Sequence, residues 1–462
     1  MARSTVKDLT HGSPLKLILG FSVPLLFGLF FQQLYNFVDT AIVGRTLGAE
    51  ALAAVGSTGC INFMILGFCM GMCSGFSIPI AQAFGAQDET ELRRFVGNAI
   101  YVSGALSIVL AVVTSLLCPW MLRMLNTPED IIGDALAYIQ PIFMAIPVTV
   151  LYNMSSGILR SLGDSKTPVY FVAMAALINI ALDIVFIIHF DMGVRGAAIA
   201  TIISQLFSGV GCLIVMKMRF PILQLSRDDR KFRPQMASQL VGMGIPMGLQ
   251  FSITAIGSVV IQTAINGLGT VYVAAVAAAS KLCNLFYCVI DALATTMATF
   301  SGQNVGARKV YRIHKGLKTA VIIGAVYSVA VFLVAWLLGR PLLTLFVSGD
   351  ETVADVIAYG HHYLLYNTIP YFLLLLVNLL RFSVQGMGFT RAAMFAGVAE
   401  MIARTAVALL LVPVWQFNGA CLANPLAWLA ADLFLFPCYL HVSKRLAQRL
   451  GCPDRKDELH AA

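Results

Sequence analysis

Two stretches of this sequence share one pattern, LGAEALAAV at residues 47–55 and LGTVYVAAV at residues 268–276. The second stretch begins 221 positions after the first. A further pair, QAFGA at 82–86 and QNVGA at 303–307, has the same separation. Because independent matches share one offset, the sequence predicts two homologous halves.

The composition is that of a membrane protein. Hydrophobic types make up 58% of the 462 residues and charged types 12%, against about 25% charged in soluble domains. The mean hydropathy is +0.82. We therefore predict an all-α polytopic membrane protein with the lipid bilayer as its surroundings. The net charge of +8 is interpreted as loop charge beside the bilayer, and no nucleic-acid partner is expected.

Twelve apolar runs are long enough to cross a bilayer, which requires about 20 residues. They lie at 15–43, 51–80, 95–117, 131–156, 167–189, 194–217, 237–266, 272–300, 316–338, 353–380, 390–413 and 418–442. Six helices in each half place the start of both halves on the same side, so the halves are parallel repeats. We predict twelve transmembrane helices in two pseudo-symmetric six-helix bundles. The expected division is an N-lobe at 1–217, a cytoplasmic linker at 218–236, a C-lobe at 237–443 and a cytoplasmic tail at 444–462.

The basic residues predict the orientation. Of the 31 Lys and Arg residues, 25, Arg381 among them, fall on the side that holds both termini, and four fall on the other side. Cytoplasmic loops carry this excess, so we expect a multi-pass protein of the cell (inner) membrane with both termini in the cytoplasm. The connectors are too short for a soluble catalytic domain and lack clustered His or Asp, which argues against the alternative of a membrane-embedded transferase. We therefore do not expect this protein to be an enzyme.

Polar side chains in the predicted helices of the first half fall at a similar depth. At 1.5 Å per residue, four of them lie roughly 8–11 Å from the outer end of their helices, and the fifth is one turn deeper. The set comprises Asp39, Tyr138, Asp183 and Thr201, with Asn179 as the deeper member. Ionisable groups in a bilayer cost about 2.5–3.5 kcal/mol each, so their presence requires a reason. We predict a pocket that takes up H⁺ or Na⁺ through Asp39 and Asp183. The alternative is that Asp39 is merely exposed at the outer boundary.

The second half carries other ionisable residues within its helices. Glu400 and Arg404 are four residues apart and can pair on one helix face. A structural salt bridge is the favoured interpretation of this pair, and a role in a central cleft is the alternative. Lys281 and Asp291 share one helix but point in different directions, so we expect no pairing between them, and Asp291 could line the cleft.

Proline and glycine mark two further features. Pro24 and Pro246 lie within apolar runs at equivalent positions, 222 residues apart. Proline removes a helical hydrogen bond and favours a kink, which leaves a static bend and a hinge as open interpretations. Gly67, Gly71 and Gly75 recur every fourth residue, which predicts close packing of two helices.

Taken together, these residues resemble the multidrug and toxic compound extrusion (MATE) transporters. The likeness covers nearly the whole chain and includes Pro24, Asp39, the paired QxxGA motifs, LRSLGD at 159–164 and QGMG at 385–388. The resemblance implies a secondary antiporter without a cofactor, which exports small amphipathic, often cationic, drugs or toxic compounds in exchange for H⁺ or Na⁺ by alternating access. We expect it to be a monomer.

The resemblance also implies a site. In one prokaryotic branch of the family the N-lobe cation site corresponds to Asp39, Tyr138, Asn179, Asp183 and Thr201 here. Other branches use a glutamate in the seventh helix, where this chain has no acid between 251 and 256. The remaining alternative is a lipid-precursor flippase of a related fold. Extra helices and a cationic cleft are typical of those proteins, whereas only Lys281 and Arg404 are cations within helices here.

Overall fold

The computed structural model describes residues 8–125, 127–346 and 353–451, without the side chain of residue 49. The last part of the predicted tail, 452–462, lies outside the described residues. Within them the secondary structure is helical and contains no strand.

The helices of the first half correspond to the first six predicted spans. They are α1 (Pro14–Thr46), α2 (Gly48–Ser57), α3 (Gly59–Gly85), α4 (Glu89–Met124), α5 (Ile132–Met144), α6 (Ile146–Ser161), α7 (Lys166–Asp183) and α8 (Gly193–Arg219). A π-helical segment at Ile184–His189 continues α7. A short 3-10 turn at Pro221–Leu223 follows α8.

The helices of the second half repeat this order. They are α9 (Pro234–Asn266), α10 (Thr270–Gly306), α11 (Val310–Leu343), α12 (Val353–Thr368), α13 (Tyr371–Gly386), α14 (Thr390–Ala406), α15 (Val412–Cys421) and α16 (Ala423–Leu450). A second π-helical segment, Val407–Leu411, joins α14 to α15.

Ten spans within the described residues are long and apolar enough to cross a membrane by themselves. Two helix pairs, α5–α6 and α12–α13, meet the same criterion together, and each pair is bent by 49°. Proline accounts for both breaks, because Pro147 occupies the first turn of α6 and Pro370 caps α13. Counted as one span each, the bent pairs give twelve spans, and the predicted all-α, twelve-helix fold is confirmed.

The second predicted run, 51–80, is divided in the structure. A turn at Thr58 separates α2 from α3, and the Thr58 hydroxyl donates to the carbonyl oxygen of Val55 at 2.7 Å. Threonine readily forms such bonds to a carbonyl oxygen of the preceding turn. Hydropathy does not detect such a turn because both flanking segments are apolar.

The chain divides into two compact units. The first unit comprises Val23–Ser252 with the N-terminal residues up to His11, and the second comprises Gly12–Ser22 and the chain from Ile253 onward. Two helices, α1 and α9, therefore contribute residues to both units. The lobe limits at 217 and 237 stay a prediction from the sequence.

The glycine ridge of α3 permits a backbone contact within the first unit. A Cβ atom at Gly71 would lie 2.5 Å from the carbonyl oxygen of Met247, and one at Gly75 would lie 2.6 Å from Cα of Gly244. Any side chain at these positions would therefore push α3 away from the first part of α9. The close helix packing predicted from the glycine spacing is confirmed.

Candidate ion-coupling site

Three helices that pack against one another hold four of the predicted polar residues. α8 packs against both α5 and α7. These helices present Tyr138 on α5, Asn179 and Asp183 on α7, and Thr201 on α8. Asp39 comes from α1 and belongs to the same unit.

Asp183 has the most completely buried side chain of these groups. Its side chain is 0% exposed, and neither carboxyl oxygen has a hydrogen-bond partner among the described residues. Asn179 lies one turn earlier on α7 and is also buried. Its amide nitrogen is 3.4 Å from the hydroxyl of Thr201 and donates to it, while its Oδ1 atom has no partner in the described part of the chain.

The two carboxyl groups of the site meet. Asp39 and Asp183 are close enough for one of them, when protonated, to donate a hydrogen bond to the other. Asp39 is half-buried, and its Oδ1 atom is buried without a partner in the described residues. Asp39 therefore lies partly buried beside Asp183, which favours a place in the pocket over the exposed position considered as the alternative.

Tyrosines complete the surroundings of the pair. Tyr138 is buried and lies within electrostatic range of both carboxyls. Tyr35 has the same relation to them, although the sequence analysis did not include it. Tyr35 precedes Asp39 by four residues, so it lies on the same face of α1, and this spacing could have identified it.

The oxygen atoms of this site are suited to binding a proton or a hard cation. Buried oxygen atoms without donors are costly, and either ligand would satisfy them. The described residues contain no group of three or more His, Cys, Asp or Glu side chains that could hold a metal ion. Na⁺ would therefore depend on the amide and hydroxyl oxygens of Asn179 and Thr201 beside the two carboxylates, which is a ligand type that hard cations accept.

The predicted ion pair of the second half is present and has a third member. Nη2 of Arg404 lies 3.6 Å from Oε2 of Glu400. Arg381 also donates from Nη2 to Oε1 of Glu400. The expectation that Arg381 lies in a loop is wrong, because α13 continues to Gly386 and leaves Arg381 only 5% exposed. Its charge is tolerated within the helix since Glu400 neutralises it.

The other two ionisable residues that the sequence singles out in the second half, Lys281 and Asp291, both lie on α10. Nζ of Lys281 is 5.6 Å from the ring centroid of Phe346, a distance at which an ammonium group is attracted to an aromatic face. Asp291 lies within electrostatic range of Tyr287, one turn earlier on the same helix. Their roles stay predictions.

The two candidate hinges lie in the helices that both units share. Pro24 and Pro246 are internal to α1 and α9. Pro24 is the second residue of α1 that belongs to the first unit, because the unit changes between Ser22 and Val23. The hinge role also stays a prediction.

The repeat relates the polar pairs of the two halves. Asn179 and Asp183 stand four residues apart on α7, and Glu400 and Arg404 occupy the positions 221 residues later. Each pair is followed by a π-helical segment, at Ile184–His189 and at Val407–Leu411. Such segments occur frequently at functional sites. The same place in the repeat thus carries an amide and an acid in the first unit, and an acid and a base in the second.

Comparison with known proteins agrees with this architecture. The family model MatE matches residues 24–185 and again 246–410, once in each half. The probable multidrug resistance protein YpnP of Bacillus subtilis (strain 168) is 30% identical over 358 residues, which are 77% of this chain and 79% of that protein. A protein named FAD transporter from Shewanella oneidensis is 26% identical over 352 residues, 74% of this chain and 76% of that protein.

Solved structures share the fold. An outward-facing multidrug resistance MATE family transporter of the MOP superfamily superposes with a TM-score of 0.88 at 21% identity. The match covers 97% of this chain and 100% of that chain. At this identity the likeness shows the fold alone.

Proposed function

This chain belongs to the MatE family of multidrug and toxic compound extrusion transporters, and we propose that it works as a secondary antiporter. It exports amphipathic, often cationic, small molecules in exchange for H⁺ or Na⁺. The family is one of membrane transporters and not of enzymes, so the polar residues described above serve transport. The proposal places the protein in the cell membrane as a monomer with cytoplasmic termini.

One observation carries the coupling part of this proposal. Asp183 is buried and Asp39 is half-buried beside it, and Oδ1 of Asp39 and both carboxyl oxygens of Asp183 lack donors among the described residues. Two neighbouring carboxyl groups cannot both remain ionised in a low-dielectric site, so in one state of the transport cycle the pair holds a proton or a cation. A group that must gain and lose a charge is what ion-driven transport requires.

The residues of the site then have distinct tasks. Asp39 and Asp183 take up the ion, and Asn179 and Thr201 add neutral oxygen ligands when that ion is Na⁺. Tyr138 donates its hydroxyl hydrogen bond to a carboxylate when the pair is ionised. No other cofactor is needed for this exchange.

Ion uptake would bias the equilibrium between two conformations. Asp39 lies on α1, the helix that contributes residues to both units, so the charge at the pair acts on a shared element. A ligand shifts such an equilibrium only by its difference in affinity for the two states. Alternating access follows if the ion-loaded pair favours the state that releases cargo, with Pro24 and Pro246 as the points of bending.

The names of two groups of relatives bear on the cargo. Two relatives are named probable multidrug resistance proteins, which supports drug-like small molecules as the cargo. The relative named FAD transporter makes an anionic flavin nucleotide the informative competitor. A lipid-precursor flippase is disfavoured by the same comparisons.

The test uses the purified protein in proteoliposomes. Efflux of a cationic dye is followed with a pH gradient alone, a Na⁺ gradient alone, and neither, and FAD is tested as a second cargo in the same vesicles. We expect dye movement under one ion gradient, and Asp39→Asn should abolish it. Asp134→Asn, which changes an exposed carboxyl of α5, should leave it intact. Dye movement that is indifferent to both gradients would reject antiport.

A further inference from the structure

The second unit contains a buried group of charges that has no part in the exchange proposed for the first unit. We name it the Arg381 cluster, and it comprises Arg381 on α13, Glu400 and Arg404 on α14, and Asp432 on α16. The three helices pack pairwise against one another. All four side chains are buried.

Asp432 has no partner within this cluster. It is 9% exposed, and both of its carboxyl oxygens are buried without a hydrogen-bond partner in the described residues. The charged groups that face it are Arg381 from α13 and Glu400 from α14. Arg381 directs Nη2 to Glu400 instead, and its own Nε–H is buried without an acceptor among the described residues.

The charges indicate which form of Asp432 this arrangement suits. If Asp432 were ionised, the net charge of the cluster would be zero, with two guanidinium groups and two carboxylates. Asp432 would nevertheless be a buried anion without a partner, because Arg381 is paired with Glu400. Leaving a buried charge uncompensated is strongly unfavourable. A protonated Asp432 removes that conflict, because the cluster then consists of the Arg381–Glu400–Arg404 group and one neutral acid.

The position of Arg404 allows the pairing to change. Arg404 stays beside Glu400 at 3.6 Å, so Glu400 keeps a cation if Arg381 leaves. Arg404 also contacts α9, since a Cβ atom at Gly257 would lie 3.5 Å from both Cδ and Nη1 of Arg404. The cluster therefore borders the helix that contributes residues to both units.

We propose that Asp432 is a second proton-binding site, and that loss of its proton to water moves Arg381 from Glu400 to Asp432. The pairing then passes from α13–α14 to α13–α16, and Glu400 is left with Arg404 alone. This proposal deepens the proposed antiport by adding a protonation step in the second unit, but the protonation itself does not depend on transport.

The test measures protonation directly. Infrared difference spectra between acidic and alkaline buffer are recorded for the purified protein without cargo, and the carboxylic-acid C=O stretch is followed. Asp432→Asn should lose one component of that band, and Asp432→Glu should restore it at a shifted frequency. Asp355→Asn changes an exposed carboxyl of the same unit and should retain the component of Asp432.

Each outcome decides one of the two proposals. A band unchanged in folded Asp432→Asn overturns the proton site, because Asp432 then does not change protonation. If Asp432→Asn elutes as an aggregate, ¹³C labelling of Asp in the wild type and in Asp432→Glu gives the same decision. If Asp432→Asn loses the component and the wild type shows no ion-driven efflux, the proton site is retained and antiport is rejected. If the band is unchanged in Asp432→Asn and the wild type shows normal ion-driven efflux, antiport is retained and the proton site is rejected.

Discussion

Replacement of Asp183 by Asn tests the coupling of ion and cargo. In the wild type the two carboxyls lie within hydrogen-bonding range. Under the proposed antiport they share one charge, which the pair loses when it takes up an ion and regains when it releases that ion. In Asp183→Asn the new amide can donate to Asp39 and removes the like-charge repulsion. Asp39 then stays ionised throughout, and the site no longer loads and unloads an ion.

The size of the effect follows from the number of ions that the pair can exchange. One H⁺ exchanged for one monovalent cation is electrically neutral, so only the concentration gradients count. A tenfold proton gradient supplies about 1.4 kcal/mol, and this sustains a roughly tenfold cargo gradient. We expect the steady-state ratio of a monovalent dye to fall from about tenfold in the wild type to about one in Asp183→Asn.

The assay is dye accumulation in proteoliposomes with the membrane potential clamped at zero. Asp134→Asn is the matched control, because it makes the same chemical change at an exposed carboxyl of the first unit. The reasoning is refuted if Asp183→Asn, reconstituted at the same density, builds the wild-type ratio. A ratio near one in the control would point to damage unrelated to the pair.

Other consequences of the structure can be tested separately. Gly75→Ala should lower the stability of the detergent-solubilised protein by about 1–3 kcal/mol, because its Cβ atom would enter the backbone of α9. Gly104→Ala on α4 is the control and should not lower the stability, because a Cβ atom there meets nothing within 4 Å. Equal melting temperatures of the two variants would contradict this prediction. In acidic buffer, where a protonated Asp432 cannot pair with Arg381, Glu400→Ala should cost about 3–5 kcal/mol in thermal denaturation, because it leaves two buried guanidinium groups unpaired. An unchanged midpoint would exclude a stabilising ion pair. The hydrogen bond and charge of Lys231, with the neighbouring arginines, hold the pKa of Asp228 below its ordinary value. The ion pairs of Asp228 therefore stabilise the segment between α8 and α9 above about pH 4, and this stabilisation is lost as the pH falls through the lowered pKa. Protease cleavage of that segment should thus increase in acid for the wild type. Asp228→Asn should show a smaller increase, because Asp229 keeps its ion pair with Arg93.

Much of the fold could be predicted because membrane insertion leaves a simple record in the sequence. A bilayer requires apolar runs of a fixed minimum length, and a regular helix converts residue number into depth. Depth placed Asp39 and Asp183 at one level, and the structure brings them into contact. The repeat offset predicted two related halves, and the two matches to one family model confirm it.

The remaining features depend on tertiary contacts that the sequence does not record. Arg381 and Glu400 are separated by a helix end and a turn, and hydropathy assigned Arg381 to a loop because it follows an apolar run. The contributions of α1 and α9 to both units likewise depend on which helices pack together. Asp432 differs from these cases, since a lone acid within the run 418–442 meets the same criterion that identified Asp183, and the sequence analysis did not apply it there.

The two units make different use of equivalent positions, and this difference gives the strongest argument for where coupling occurs. Among the described residues no guanidinium group acts on Asp39 or Asp183, so we propose that a proton or cation from outside balances their charge. In the second unit Glu400 is already balanced by Arg381 and Arg404. An acid with internal cations has little need of an external ion, which supports the proposal that Asp183 is the coupling group and Glu400 a structural one. Asp432 lies between these cases, because its cation is present but bound elsewhere, and only such a group can turn protonation into an exchange of partners.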